Sequence, residues 1–244
     1  MIKIIANIIS RGTERSGSGG YMAITEQVDN FRYILPIAHN IEQVDHLPPQ
    51  RLRVSRDLDL AQIAVCRFRL ISALFLKNHT LDIHSKILII GYGCVGYACH
   101  EELKSRGFEK ISVLTRHKKL LKINYVDSKV LNKNNFDTII DTTGNSDAIN
   151  QVITNMQPRQ TLVLLGTPRQ SPNIDLLQVH RLNLTIIGAH ELNGYSDAYR
   201  QQAFDEVVTN VYNNKIKYND VVEEINQHIE DIEANKKIYT VIRK

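Results

Sequence analysis

The sequence predicts an α/β protein built on a doubly wound parallel sheet, with small β structure ahead of it. Three observations point there. Apolar strand-like runs and helix-like stretches alternate from Lys86 to Tyr212, the pattern of a parallel sheet covered by helices. A glycine-rich turn, Gly91-Tyr92-Gly93-Cys94-Val95-Gly96, stands where the first of these strands meets the first helix. The residues before Asp59 read instead as short alternating pieces separated by polar and Pro-containing turns.

In chain order, Ile2 to Ile9 is a strand-like run and Gly12 to Gly20 (GTERSGSGG) is a polar, Gly-rich stretch. Phe31 to Ile37 and the Pro48-Pro49 turn continue the small β region. From Asp59 to Lys77, Ala61, Ala64, Val65, Phe68, Ile71, Ser72 and Phe75 recur at three and four, as on a buried helix face. Lys86 to Ile90 is continuously apolar, as for a strand covered on both faces. Val95 to Arg106 reads as a helix stopped by Gly107, followed by strands at Ile111–Leu114 and Phe136–Ile140. Ser146 to Gln157 is a helix halted by Pro158, and Thr161–Leu165 and Leu184–Ile187 are strands. Asp197 to Tyr212 is a helix with Phe204, Val207, Val208 and Val211 on its apolar side. Asn219 to Lys244 reads as a short acidic helix and a closing strand, Ile238–Ile242.

The Gly91–Gly96 turn has the GxGxxG spacing in its confirming strand–turn–helix context, the Rossmann fingerprint. Gly91 makes the tight turn, Gly93 lets a pyrophosphate approach the backbone, and Gly96 lets helix and strand pack closely. Cys94 and Val95 open the helix whose N–H groups face the phosphates. The bland alternative is a glycine turn without a ligand. After the second strand comes Thr115-Arg116-His117-Lys118-Lys119, with no acid to accept from a ribose. Arg116 can hold a 2′-phosphate, with Thr115 and Lys118 as further donors, so NADP(H) is expected over NAD. A solvated basic helix start is the alternative. Three further loops leave strand carboxyl ends: Asp141-Thr142-Thr143-Gly144, Gly166-Thr167-Pro168 and Gly188-Ala189-His190-Glu191. Each is a candidate for the nicotinamide half or a plain turn.

Composition narrows the class. The 244 residues are 43% hydrophobic and 23% charged, as in ordinary globular chains. Thirty basic against 26 acidic residues is too mild an excess to imply nucleic acid. No apolar run approaches the ~20 residues of a membrane span. Lys3 and Asn7 interrupt the apolar start, which is read as mature sequence, and a cytoplasmic location is expected. Cys66, Cys94 and Cys99 form no CxxC or Cys/His ligand pattern.

Taken together, these segments resemble the medium-chain dehydrogenase/reductase superfamily of zinc-type alcohol dehydrogenases. Ser10-Arg11-Gly12-Thr13-Glu14-Arg15 resembles the loop opening its GroES-like catalytic domain, in a variant without a cysteine ligand. Phe136 to Gly144 resembles its fourth cofactor-domain strand and turn, and His180 to Gly188 its sixth strand. Asp231-Ile232-Glu233-Ala234 and Val241-Ile242 resemble its last helix and closing strand. The resemblance implies a Rossmann domain over 59–215 and a reduced GroES-like β lobe from 1–58 and 216–244. The GxGxxG comes early, so the catalytic lobe is expected to be cut down, and residues 21–58 match poorly. Arg11 stands where zinc members carry a cysteine, and Gly20-Tyr21-Met22 where they carry Gly-His-Glu. The four-cysteine structural lobe is missing too, so no zinc is expected.

Without zinc, hydrogen bonds or a cation must polarise a carbonyl. The resemblance assigns Thr13 a proton relay. Arg11, Arg15, Tyr21 and Arg67 are possible donors, or ordinary surface side chains. His190 is an acid/base candidate on the nicotinamide side, while His39, beside Pro36-Ile37-Ala38, reads as structural. The expected function is zinc-independent, NADPH-dependent hydride transfer to a small carbonyl or activated alkene. The alternatives are a non-catalytic NADP(H)-binding sensor or partner subunit, and an enzyme whose substrate cover comes from another subunit. Leu184–Ile187 would be an apolar edge strand, and the resemblance implies a homodimer there.

Overall fold

The structure is a computed structural model, described for residues 1–9, 22–115, 124–126, 136–168, 173–215, 218, 221–225 and 237–244. The chain forms two compact units, Met1–Leu74 with Gly194–Lys244, and Phe75–Asn193. The first unit opens with β1 (Ile2–Ile9), β2 (Ala23–Thr25), β3 (Arg32–Leu35), β4 (Gln43–Val44) and β5 (Leu52–Val54). Helix α1 (Leu60–Asn78) follows, and the division falls within it. The second unit holds β6 (Ile87–Ile90), α2 (Cys94–Ser105), β7 (Ile111–Leu114), β8 (Tyr125–Val126) and β9 (Thr138–Asp141). It continues through α3 (Ser146–Ile153), β10 (Thr161–Leu164), α4 (Leu176–Arg181) and β11 (Thr185–Gly188). The chain then returns to the first unit with α5 (Asp197–Asn214), β12 (Val222–Ile225) and β13 (Tyr239–Arg243).

The second unit is the doubly wound fold that the sequence predicts. Its six strands lie in the order β11-β10-β9-β6-β7-β8, every pairing parallel. From β6 the chain steps outward to β7 and β8, then jumps back to β9 and outward the other way. This is the 3-2-1-4-5-6 order of dinucleotide-binding folds. Right-handed crossovers leaving in opposite directions place α2 and α3 on opposite faces. The β6 run Ile-Leu-Ile-Ile is buried throughout, as a central parallel strand must be. Leu88, Ile90, Ile139 and Leu162 from the sheet meet Ile149, Val152 and Ile153 of α3 in one core cluster. Each such fully buried side chain contributes roughly 1.5–3 kcal/mol.

The first unit is a β lobe assembled from both ends of the chain. Its path runs β12-β13-β1-β2-β3-β5, with β4 also paired to β1. All pairings are antiparallel except β12 with β13. Helix α1 starts with a reciprocal cap: Gln62 N donates to Asp59 Oδ1 (2.7 Å) and Asp59 N to Gln62 Oε1 (3.1 Å). The sequence marks one buried face on α1, but the helix is buried nearly all round, including Arg67 (5% exposed) and Arg69 (2%). Its Phe68 ring stacks on Tyr239 of β13 at 5.2 Å.

The structure departs from the sequence reading in four places. The compact units divide at 74/75 and 193/194, whereas the expected boundaries were 58/59 and 215/216. Side-chain bonding accounts for the placing of α5 with the β lobe. Gln201 accepts from Arg53 N (2.8 Å) and donates to Arg53 O (2.9 Å), covering the free edge of β5 like a further strand. Val222–Ile225, at the start of the tail expected to hold a short acidic helix, is a strand because β13 offers it a parallel partner, and Asp231–Ala234 lie outside the described residues. Strand β8 and helix α4 are additional, and both are too short for periodicity to reveal. The expected helix Ser146–Gln157 ends at Ile153, where Thr154 and Asn155 turn the chain ahead of Pro158.

Candidate functional site

The second unit reverses its winding between β6 and β9, and open sheets of this kind take ligands at that switch point, beyond the strand carboxyl ends. Three loops meet there. The first follows β6. Gly91 N donates to Leu114 O (2.8 Å), and Gly91 has φ +89°, a left-handed turn natural to glycine. Helix α2 then starts with Gly93 as N-cap and no side chain capping it; the first intrahelical bond is Tyr97 N to Gly93 O (2.9 Å). Cys94 and Val95 open its first turn, the end of a helix that favours an anion.

Two glycines of this turn have opposite surroundings. A Cβ on Gly96 would stand 2.4 Å from Gly91 O and 2.9 Å from Thr142 Oγ1, so only glycine permits this approach. A Cβ on Gly93 would meet nothing within 4 Å among the described residues. That gap lies where a diphosphate would rest against the backbone. The residues present therefore fit a dinucleotide.

The second loop follows β9. Thr142 Oγ1 donates to Ile90 O (2.8 Å), tying it to the end of β6. Asp141, fully buried at 0% exposure, accepts from Thr143 N (3.0 Å), Thr143 Oγ1 (2.6 Å) and Gly144 N (2.9 Å). Burial pushes its carboxyl above the usual range, against the opposing pull of the Thr143 and Gly144 bonds. Asn145 then caps α3, its Oδ1 accepting from Ala148 N (3.0 Å). The third loop follows β10. Gly166 N donates to Asp141 O (2.9 Å), Gly166 packs on the Thr142 backbone, and Gly144 packs on Thr167 and Pro168.

The structure thus brings together Gly91, Gly93, Cys94, Val95, Gly96, Thr142, Thr143, Gly144, Gly166, Thr167 and Pro168. Thr115 follows β7 directly and is half-buried. Arg116, Lys118, Thr13 and Tyr21 lie outside the described residues. His190 follows β11, the strand beside β10 and three strands from β6. It is exposed, and its Nδ1 accepts the N–H groups of Leu192 and Asn193 (both 3.3 Å), which places the proton of the neutral ring on Nε2.

Sequence reasoning passed over two features. The Asp-Thr-Thr-Gly run reads as a turn, yet Asp141 organises it; an Asp at a strand end before Thr-Thr-Gly is the available signal. Tyr92 is 4% exposed and packs edge-on against Tyr97, His100 and Tyr125, with centroids at 5.9, 5.8 and 6.3 Å. Its hydroxyl has no partner among the described residues, and burial followed by the Glu101 charge pushes its pKa up.

In the β lobe, His39 Nε2 accepts from Met22 N (3.4 Å), while Asn7 Nδ2 (3.0 Å) and Lys244 Nζ (2.6 Å) donate to its carbonyl. Burial, then the Lys244 charge, lowers its pKa, which agrees with the structural role read from sequence. The positions matching the family's zinc-ligand loop carry no zinc-type side chain. Residues 10–21 contain neither cysteine nor histidine, Cys66, Cys94 and Cys99 are separately buried, and no metal-holding group of His, Cys, Asp and Glu occurs among the described residues.

No protein-family model matches the chain, and no curated protein matches its sequence. Solved structures do. Galactitol-1-phosphate dehydrogenase from Escherichia coli matches with TM-score 0.73 at 11% identity, covering 100% of this chain and 92% of that one. Staphylococcus aureus TarJ in complex with NADPH matches with TM-score 0.72 at 15% identity, covering 99% and 90%. A protein described as the short chain alcohol dehydrogenase rspB from Escherichia coli CFT073, complexed with NADH, matches with TM-score 0.74 at 13% identity, covering 100% and 91%. The resemblance seen in the motifs therefore holds at the level of fold: the chain has the two-unit fold of the zinc-type medium-chain dehydrogenases, a Rossmann sheet with a GroES-like β lobe.

Proposed function

We propose that the chain is a zinc-independent, NADPH-dependent oxidoreductase that transfers a hydride to a small carbonyl or activated alkene substrate. The observation that carries this reading is the open end of α2: an uncapped helix N-terminus, an empty approach at Gly93, and two further loops knitted around the same switch point. Fold neighbours crystallised with NADPH and with NADH support a nicotinamide cofactor. Thr115, Arg116 and Lys118, with no acid among them, support NADPH over NADH.

When bound, the cofactor supplies the hydride. The chain's own part is to bind and orient. The first turn of α2 holds the diphosphate, and the loops 142–144 and 166–168 confine the nicotinamide half. Thr13 serves as the hydroxyl that passes a proton to the substrate oxygen, with Tyr21 as a second donor. His190 is the weaker acid/base candidate, because one ring nitrogen already holds its own turn. With neither cysteine nor histidine in residues 10–21, polarisation of the carbonyl falls to hydrogen-bond donors. Substrate is a small molecule.

The test is calorimetric titration of the full chain with NADPH and NADH, followed by NADPH oxidation over a panel of aldehydes, ketones and enones. Tighter binding of NADPH and turnover of at least one class are expected. Arg116→Asp should weaken NADPH by roughly tenfold or more through charge repulsion and reverse the preference. An unchanged preference in that variant sinks the NADPH assignment, and intact binding with no turnover across the panel sinks the catalytic one.

A further inference from the structure

The carboxylate of Asp141 stands among the switch-point loops, and no step above uses it. It ends β9, flanked by Ile90 of β6 and Leu164 of β10. All three of its hydrogen-bond partners are donors: the N–H and hydroxyl of Thr143 to Oδ1 (3.0 and 2.6 Å), and the N–H of Gly144 to Oδ2 (2.9 Å). That set places donors at both oxygens, the arrangement an ionised carboxyl takes best. A proton on either oxygen removes the charge that strengthens these bonds and adds a donor beside donors already in place.

The loop's shape follows from those bonds. The Thr143 hydroxyl, fixed by Asp141, accepts from Asn145 N (3.0 Å), and Asn145 caps α3. Gly144 rests on the Thr167 backbone, and Thr142 lies against Gly91 and Gly96. Burial works against the charge that this arrangement favours. Strands β6 and β10 and the loops 142–145 and 166–168 hold no titratable side chain; among the described residues the neighbouring elements bring Tyr92 and Cys94 in the glycine turn and Asp147 on α3, and Arg169, next after the 166–168 loop, lies outside them.

We propose that Asp141 is a positioning residue for the nicotinamide cofactor: its ionised carboxylate sets the 142–145 loop in the arrangement that receives the ligand, and one proton taken up there releases the loop and weakens binding. This rests on the switch point being the cofactor site.

The test titrates the full chain with NADP⁺ and NAD⁺ at steps from about pH 8 to about pH 5, comparing wild type with Asp141→Asn and Thr143→Val. Wild-type affinity should fall as pH falls through the raised carboxyl. Asp141→Asn should bind about tenfold more weakly near neutral pH, the loss of one charge-assisted bond, and show only the ligand's own titration. Its thermal midpoint should not drop, because a buried charge has gone. Thr143→Val removes a bond to the ionised form, so its loss of binding should move to higher pH. Wild-type affinity and pH dependence in Asp141→Asn overturn the proposal. If that variant does not fold, an unshifted pH profile in Thr143→Val overturns it. Wild type that binds neither cofactor overturns the cofactor site itself, a separate result.

Discussion

Gly93 and Gly96 stand three residues apart and do different work. Gly96 is needed by the fold, because a methyl group there runs into the Gly91 carbonyl at 2.4 Å. Gly96→Ala is expected to cost about 1–3 kcal/mol of stability, read from denaturant unfolding. Among the described residues nothing opposes a Cβ on Gly93, so Gly93→Val should close the diphosphate approach while costing only about 0.5–1 kcal/mol, the penalty of Val as the N-cap of α2. The GxGxxG spacing showed all three glycines in sequence, but not which of them serves the chain and which serves a ligand; that distinction depends on what lies across from each. Asp141 was legible only as one letter of a turn, since its role arises from burial and three donors folded around it.

Two titratable groups should move stability in opposite directions with pH. His39 is depressed in the folded state, so its contribution is present above its ordinary value of 6.5 and lost as pH falls through the lowered one. Asp141 is raised, so its contribution is present below the ordinary carboxylate value and lost as pH rises through the raised one. His39→Gln should accordingly flatten the acid limb of stability against pH, measured by thermal unfolding between about pH 5 and about pH 8. An acid limb unchanged in that variant contradicts the His39 assignment.

At the scale of elements, the second unit could be read closely because its strands are continuously apolar and its helices periodic; β6, β7 and β10 sit within a residue of their expected ranges. The short pieces could not. Val222–Ile225 carries two glutamates that suit a helix, and only pairing with β13 makes it a strand. The Arg53–Gln201 bonds that tie α5 to β5 join residues 148 apart, beyond the reach of any local pattern. The expected edge strand is present: β11 ends the parallel sheet with Ile186 and Ile187 only half-buried. Such an edge invites pairing, and the account predicts a homodimer through it. Sedimentation at micromolar concentration should show a dimer that Ile187→Lys dissociates; a wild-type monomer under those conditions contradicts it.

For the whole molecule, the sequence's central expectation, a parallel dinucleotide-type sheet with a β lobe from both chain ends, matches the fold, and distant dehydrogenases share it. No helix among the described residues is long and apolar enough to cross a membrane. The proposed chemistry is less legible than the fold because it is divided. The cofactor end is built from backbone geometry that spacing announces, whereas Thr13 and Tyr21, the proposed proton donors, belong to a polar stretch without periodicity.

The central claim is that this chain holds a nicotinamide dinucleotide at the end of α2. Calorimetric titration of wild type and Gly93→Val with NADPH tests it most directly. Saturable one-to-one binding in the wild type, with a Kd on the order of micromolar, should be lost in a variant that still unfolds cooperatively with only a slightly lowered thermal midpoint. Equal binding by the two proteins, or none by the wild type, would contradict the account.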